Sequence, residues 1–105
     1  MSGGRRFLAL AACLAATHPA PAADPDLARN LAATCANCHG TEGRSVGGMA
    51  SLAGEPRERL LAKLKAYADN EQAATIMGQI AKGYSERQLE LIAAWFAAQP
   101  KSREP

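Results

Sequence analysis

The stretch Cys35-Ala36-Asn37-Cys38-His39 constrains this chain more than any other. Two cysteines spaced by two residues put both sulfurs on one side of a helix end, and a histidine follows at once. That pattern reads as a c-type haem attachment site. Each thiol can add across one haem vinyl group to form a thioether, and the imidazole then sits where it can reach the iron. Three other chemistries compete for the same residues. A thioredoxin-like dithiol belongs in a βαβ context, and no strand pattern is present. A zinc site needs more ligands, and the sequence has no Cys or His after His39. A structural disulfide closing so short a loop adds little stability.

The N-terminus bears on where such a motif would work. Arg5 and Arg6 precede an apolar run from Phe7 to Ala16, and Ala20 and Ala22 supply small residues beyond it. This order reads as a secretory signal peptide over residues 1–22, with cleavage after Ala22 and delivery to the periplasm. The run is too short to span a membrane as a helix, and no later stretch is apolar enough to try. Leu10-Ala11-Ala12-Cys13 is the rival, a lipobox-like sequence that would anchor the chain through acyl groups on Cys13. Only Phe7 to Leu10 precede it as an apolar run, and the run continues past Cys13, which favours simple cleavage.

Removing residues 1–22 of 105 leaves 83, with ten Lys+Arg against ten Asp+Glu. A balanced charge excludes the basic footprint of a nucleic-acid binder. A chain of this size buries a small core and usually needs a staple, which a covalent porphyrin would supply. Residues 23–99 read as one all-α domain of three to five short helices around one haem, and residues 100–105 as a polar tail.

Along that domain, Asp24-Pro25-Asp26 suits a helix start, with Asp24 as cap and Pro25 at the first helical position. The helix is expected to run to about Cys35, with Leu27 and Leu31 as its apolar stripe. Gly40 to Gly54 holds five glycines and reads as loop, with Leu52 as a haem contact. Pro56 opens a second helix with Leu60, Leu61, Leu64, Tyr67 and Ala68 on its apolar side, Tyr67 being a pocket wall. Arg57, Arg59, Lys63 and Lys65 are assigned to its outer face. Residues 70–84 break the helical pattern, and Ile76, Ile80 and Tyr84 are candidates to line the pocket. Ser85 and Gln88 form a capping box for a last helix that puts Leu89, Ile92, Ala93 and Phe96 on one face, Trp95 at its edge. Pro100 ends it.

An iron held by histidine in an electron-transfer site commonly takes a methionine thioether on its other face. Met77 is the candidate. Met49 is close enough in sequence, but it belongs to the loop expected to cover the histidine side.

Taken together, the helix feeding Cys35-x-x-Cys38-His39, the loop ending in Leu52-Ala53-Gly54, the helix before Met77 and the final aromatic-bearing helix resemble the class I cytochrome c family. The resemblance implies that the first and last helices cross, placing Leu27 and Leu31 against Ile92 and Trp95. It also implies that a backbone carbonyl two residues before Leu52 accepts a hydrogen bond from the histidine ring. Proline is usual there, and this chain has Ala50. More narrowly, Gly43 to Gly48, Ser51 to Gly54 and Thr75 to Ser85 resemble the cytochrome subunits of flavocytochrome c sulfide dehydrogenases. Those subunits pair with an FAD-bearing, sulfide-oxidising flavoprotein.

The function expected is therefore one-electron transfer through haem c, with Cys35 and Cys38 as thioether carriers and His39 and Met77 as axial ligands. The chain itself would not be an enzyme. Its partner would be the flavoprotein subunit, with no nucleic acid and no membrane span. A free-standing shuttle to an oxidase or another cytochrome is the alternative. A haem enzyme or gas sensor with an open sixth position is a further one, and it requires that Met77 not bind.

Overall fold

The last helix is set by its first four residues. In the computed structural model, which describes residues 3–4, 24–73 and 76–102, the Ser85 hydroxyl accepts from the Gln88 amide at 3.1 Å. The Gln88 side chain in turn accepts from the Ser85 amide at 2.8 Å. This reciprocal box satisfies two of the amides that a helix start leaves without partners. The helix that follows is Glu86–Ala97. Its spacing puts Leu89, Ile92, Ala93 and Phe96 on one face, and all four are buried, as the periodicity predicts. Phe96 is 1% exposed, so its ring alone accounts for roughly 1.5–3 kcal/mol of burial.

Five α-helical segments lie among the described residues: α1 Leu27–Ala32, α2 Ala36–His39, α3 Arg57–Ala68, α4 Met77–Lys82 and α5 Glu86–Ala97. No strand occurs among them. Helix α5 packs against both α1 and α3, and α3 also packs against α4. The core is built where these meet, from Ala32, Leu60, Ile92, Ala93 and Phe96, with Leu31, Leu52, Leu64 and Trp95 leaning against it. The expected contact between the first and last helices is therefore present. Apart from Gly3 and Gly4, the proposed signal sequence, Cys13 included, lies outside the described residues.

The first helix differs from expectation in three ways. It begins at Leu27, because Asp24 caps a preceding turn instead: its carboxylate accepts from the Asp26 amide at 2.9 Å. It does not stop at Cys35. A 3₁₀ turn over Ala33–Cys35 tightens the chain, and α2 continues to His39, so the whole motif is helical. Leu27 is 43% exposed and takes little part in the core, where Ala32 is 1% exposed. A methyl group at Ala32 lets α1 and α5 lie close, which a leucine would prevent.

Helix α3 starts behind Pro56, whose missing N–H costs nothing at that position. It ends in a Schellman motif built on Asn70, at φ +59°. The Glu71 amide reaches the Ala66 carbonyl at 2.9 Å, and the Asn70 amide reaches Tyr67 O at 3.3 Å. Helix α4 escaped the sequence pattern, since six residues with Gly78 inside carry too short a period to read. Gly78 lies against the end of α3: a β-carbon there would sit 3.5 Å from the Tyr67 carbonyl.

The loop between α2 and α3 is held by glycines that cannot be replaced. Gly40 adopts φ +88°, and a β-carbon on it would lie 2.0 Å from the Arg44 carbonyl oxygen. Gly43 is buried at φ +80°, with the Phe96 ring 2.7 Å from where a β-carbon would stand. The loop is thereby pressed onto α5, and the Gly54 amide bonds the Phe96 carbonyl at 3.0 Å.

Candidate functional site

Apolar residues that α5 does not cover face a cavity of about 730 Å³. This is the size of pocket that holds a cofactor or drug-sized ligand, roughly 300–1,000 Å³. Cys35, Cys38 and His39 stand on its wall, at the end of the first helical stretch. Opposite elements contribute Leu52 from the loop, Leu64 and Tyr67 from α3, and Ile76, Met77 and Ile80 around α4. Every residue singled out from the sequence as a site residue is thus brought to one cavity.

The histidine is fixed. Its Nδ1 lies 2.7 Å from the Ala50 carbonyl oxygen. A carbonyl only accepts, so Nδ1 carries the proton and Nε2 keeps the lone pair that a metal takes. The position usually occupied by proline does its work here with Ala50. Rigidity comes instead from the bonds on either side. The Ser51 hydroxyl accepts from the Ser45 amide at 3.0 Å, and the Leu52 amide donates to the Gly43 carbonyl at 2.7 Å.

Of the two thiols, Cys38 is exposed and Cys35 is half-buried. Burial pushes the Cys35 thiol up, partly offset by a hydrogen bond with the Thr34 side chain. The donor set is two thiols, an imidazole of defined tautomer and a thioether, around apolar walls with few polar atoms. That is the chemistry of covalent haem: cysteines to tether the macrocycle edge, a histidine nitrogen and a methionine sulfur for its iron. Among the described residues no cluster of three or more His, Cys, Asp or Glu side chains could hold a metal ion by itself.

Two residues placed on the outer face of α3 belong to the cavity rim instead. Arg59 and Lys63 line it together with Glu55, and Arg59 lies 3.6 Å from the Glu55 carboxylate. Both side chains are exposed, so they mark the solvent edge of the cavity. The four-residue steps from Arg59 through Lys63 to Tyr67 were the signal available. Met49 also lines the cavity and is 45% exposed. It adjoins Ala50, and so sits beside the carbonyl that holds the histidine. Thr34 and Tyr84 also line the cavity, their hydroxyls 2.7 Å apart, and Ile92, Ala93 and Phe96 of α5 face it too.

Comparison with known proteins agrees with this chemistry. The cytochrome c family model matches residues 26–98. The cytochrome subunit of sulfide dehydrogenase from Chlorobaculum tepidum is 36% identical over 66 residues, covering 63% of this chain and 60% of the relative's own length. Cytochrome c-554(548) from Halomonas halodenitrificans is 33% identical over 70 residues, covering 63% of this chain and 84% of that protein. A helical cavity with tethering thiols and a braced imidazole is what the family requires of a sequence, and this chain, which carries covalently bound haem c and serves electron transfer, belongs to the cytochrome c family.

Proposed function

We propose that this chain works in the periplasm as the haem subunit that takes single electrons from an FAD-bearing sulfide dehydrogenase flavoprotein. The observation that carries the electron-carrier chemistry is the braced histidine, His39 Nδ1 on the Ala50 carbonyl at 2.7 Å, sharing one apolar cavity with Met77. The choice of partner is supported by the similarity to the Chlorobaculum tepidum subunit. The export route is supported by Arg5, Arg6 and the apolar run behind them.

In this reading Cys35 and Cys38 would hold the haem edge through two thioethers, formed by thiol addition without net oxidation or reduction. His39 would hold the iron through Nε2, and Met77 would hold it through its sulfur. Met49 stays on the histidine side, next to Ala50. The bound haem supplies a one-electron couple. With His39 and Met77 both holding the iron, no coordination site would be left for a substrate, and the chain would carry electrons and transform nothing. Leu52, Tyr67, Ile76 and Ile80 give the cavity apolar walls, which would favour the less charged ferrous state and a high potential. The oxidation of sulfide itself belongs to the flavin of the partner.

Anaerobic mixing tests the partner. Sulfide and the flavoprotein together should reduce the haem band rapidly, while sulfide alone should do so slowly. Equal rates with and without the flavoprotein would exclude this partner. The coverage of cytochrome c-554(548) supports a second reading, a free-standing shuttle. Failure to co-purify with a flavoprotein, together with rapid exchange with another cytochrome, would favour it. The ligation has its own test. Met77→Ala should open the sixth position and let the ferrous protein bind carbon monoxide. A variant matching the parent in spectrum and carbon monoxide binding would remove Met77 from the scheme.

A further inference from the structure

Thr34 and Tyr84 are fifty positions apart in sequence, and their hydroxyl oxygens meet at 2.7 Å. Thr34 stands immediately before Cys35, on the helical stretch that carries both cysteines and His39. Tyr84 follows Gly83, the residue that caps α4, and α4 begins at Met77. The pair therefore joins the two supports from which the axial ligands would project. No other side-chain hydrogen bond links these two stretches among the described residues.

Either hydroxyl can donate in this pair, and the Thr34 hydroxyl also lies 3.3 Å from the Leu31 carbonyl, which places it between the first helix and Tyr84. The tyrosine is thereby drawn toward the first helix and leans on the core with its ring. Both side chains line the cavity, so a group filling it shields the bond from water and strengthens it. Helix α4 needs such a tie. At six residues it is too short to hold itself, and it relies on tertiary contacts to keep its place.

We propose that the Thr34–Tyr84 hydroxyl pair is a positioning latch that fastens the Met77 segment to the helix carrying His39, and that its loss loosens the sixth coordination position while leaving the fold intact. The proposal rests on Met77 being the sixth ligand. Neither hydroxyl touches the reacting atoms, so both are positioning residues.

The experiment uses the haem-loaded protein and titrates its ferric form with imidazole, which competes with a methionine sulfur for the iron. Thr34→Val and Tyr84→Phe should each raise the apparent imidazole affinity about fivefold, the equilibrium worth of one net hydrogen bond. The double variant should gain no more than either single one, because both remove the same bond. Thr34→Ser keeps the hydroxyl and should behave as the parent protein. The reduction potential should fall in Thr34→Val and Tyr84→Phe, since a weaker thioether stabilises the ferrous state less. Met77→Ala separates the two ways of failing. If it leaves imidazole affinity unchanged, the ligand is not Met77 and the latch falls with that assignment. If it raises the affinity while the hydroxyl variants do not, or if the two hydroxyl variants add, the latch alone is overturned. Hydroxyl variants that melt at a lower temperature with unmoved imidazole affinity would overturn it too, leaving a purely structural bond.

Discussion

Helices α3 and α5 are both twelve residues long, yet they bury their side chains against different things. Helix α5 places Leu89, Ile92, Ala93 and Phe96 inside the protein, whereas α3 fully buries only Leu60. The remaining large apolar residues of α3 are half-buried, and Leu64 and Tyr67 look onto the cavity. Helix α5 is covered mainly by its own chain, although Ile92, Ala93 and Phe96 also reach the cavity wall. The other presents a stripe that becomes core only when a flat apolar group lies against it. A small domain gains its missing hydrophobic core this way, and its stability becomes tied to its cofactor.

The sharpest way to break this comparison is to withhold the haem. A Cys35→Ser/Cys38→Ser chain should lose most of its helical circular dichroism and its cooperative melt. Whatever amide protection remains in hydrogen exchange should be strongest in α1 and α5, whose buried residues already meet each other within the chain. A haem-free chain with full helical signal and uniform protection would show that α3 and α4 are finished by the protein after all.

The second test stays with haem-loaded protein and moves to the core. Phe96→Ala should cost about 3–5 kcal/mol in denaturant unfolding, because a fully buried ring leaves a cavity that neighbours fill only in part. The loss should fall at the upper end, since the Gly43 turn is pressed onto that ring and cannot follow it. Leu27→Ala on α1 should change stability by no more than ~0.5 kcal/mol, as expected for a surface site. Similar losses for the two would return Leu27 to the core.

Those two residues also mark what could be read from the chain before its structure. Phe96 was legible because α5 is long, amphipathic and capped by Ser85 and Gln88, so each local signal agrees with the fold. Leu27 was not, because α1 is six residues long and its close approach to α5 is set by small Ala32 rather than by the larger leucine. The cavity follows the same division. Cys35, Cys38 and His39 announce themselves by chemistry at fixed spacing. Arg59 and Lys63 were assigned to the outer face alone because charge was weighed ahead of the four-residue steps that lead from Arg59 through Lys63 to Tyr67. The Thr34–Tyr84 contact and the bonds that stiffen Ala50 span distant parts of the chain, and no local pattern encodes them. Helix α4 was hidden by its length.

The smallest effect lies on the seam between the two helices compared above, where Lys65 of α3 meets Glu86 of α5 at 2.5 Å. Each holds the other charged: the hydrogen bond and charge of Glu86 raise the Lys65 ammonium, and those of Lys65 lower the Glu86 carboxyl. The sign of the pH dependence follows. A lowered carboxyl contributes stability above its unfolded value, and the contribution is lost as pH falls through the folded one. A raised ammonium contributes below its unfolded value, and loses the contribution as pH rises through the folded one. The pair therefore acts across the neutral range and fades on the acid side below the usual carboxylate range, on the alkaline side above the usual lysine range. Both ends are on the surface, so solvent and salt screen the pair and its contribution is small. Lys65→Gln should lower the melting temperature slightly at neutral pH and low salt, and the difference should vanish in strong acid or concentrated salt. Glu86→Gln should lower it a little further, since Glu86 also sits in the first turn of α5, where a negative charge meets the positive end of the helix dipole. Equal losses would assign the whole effect to the pair. A Lys65→Gln difference that survives in strong acid would mean that the lysine stem, rather than its charge, joins α3 to α5.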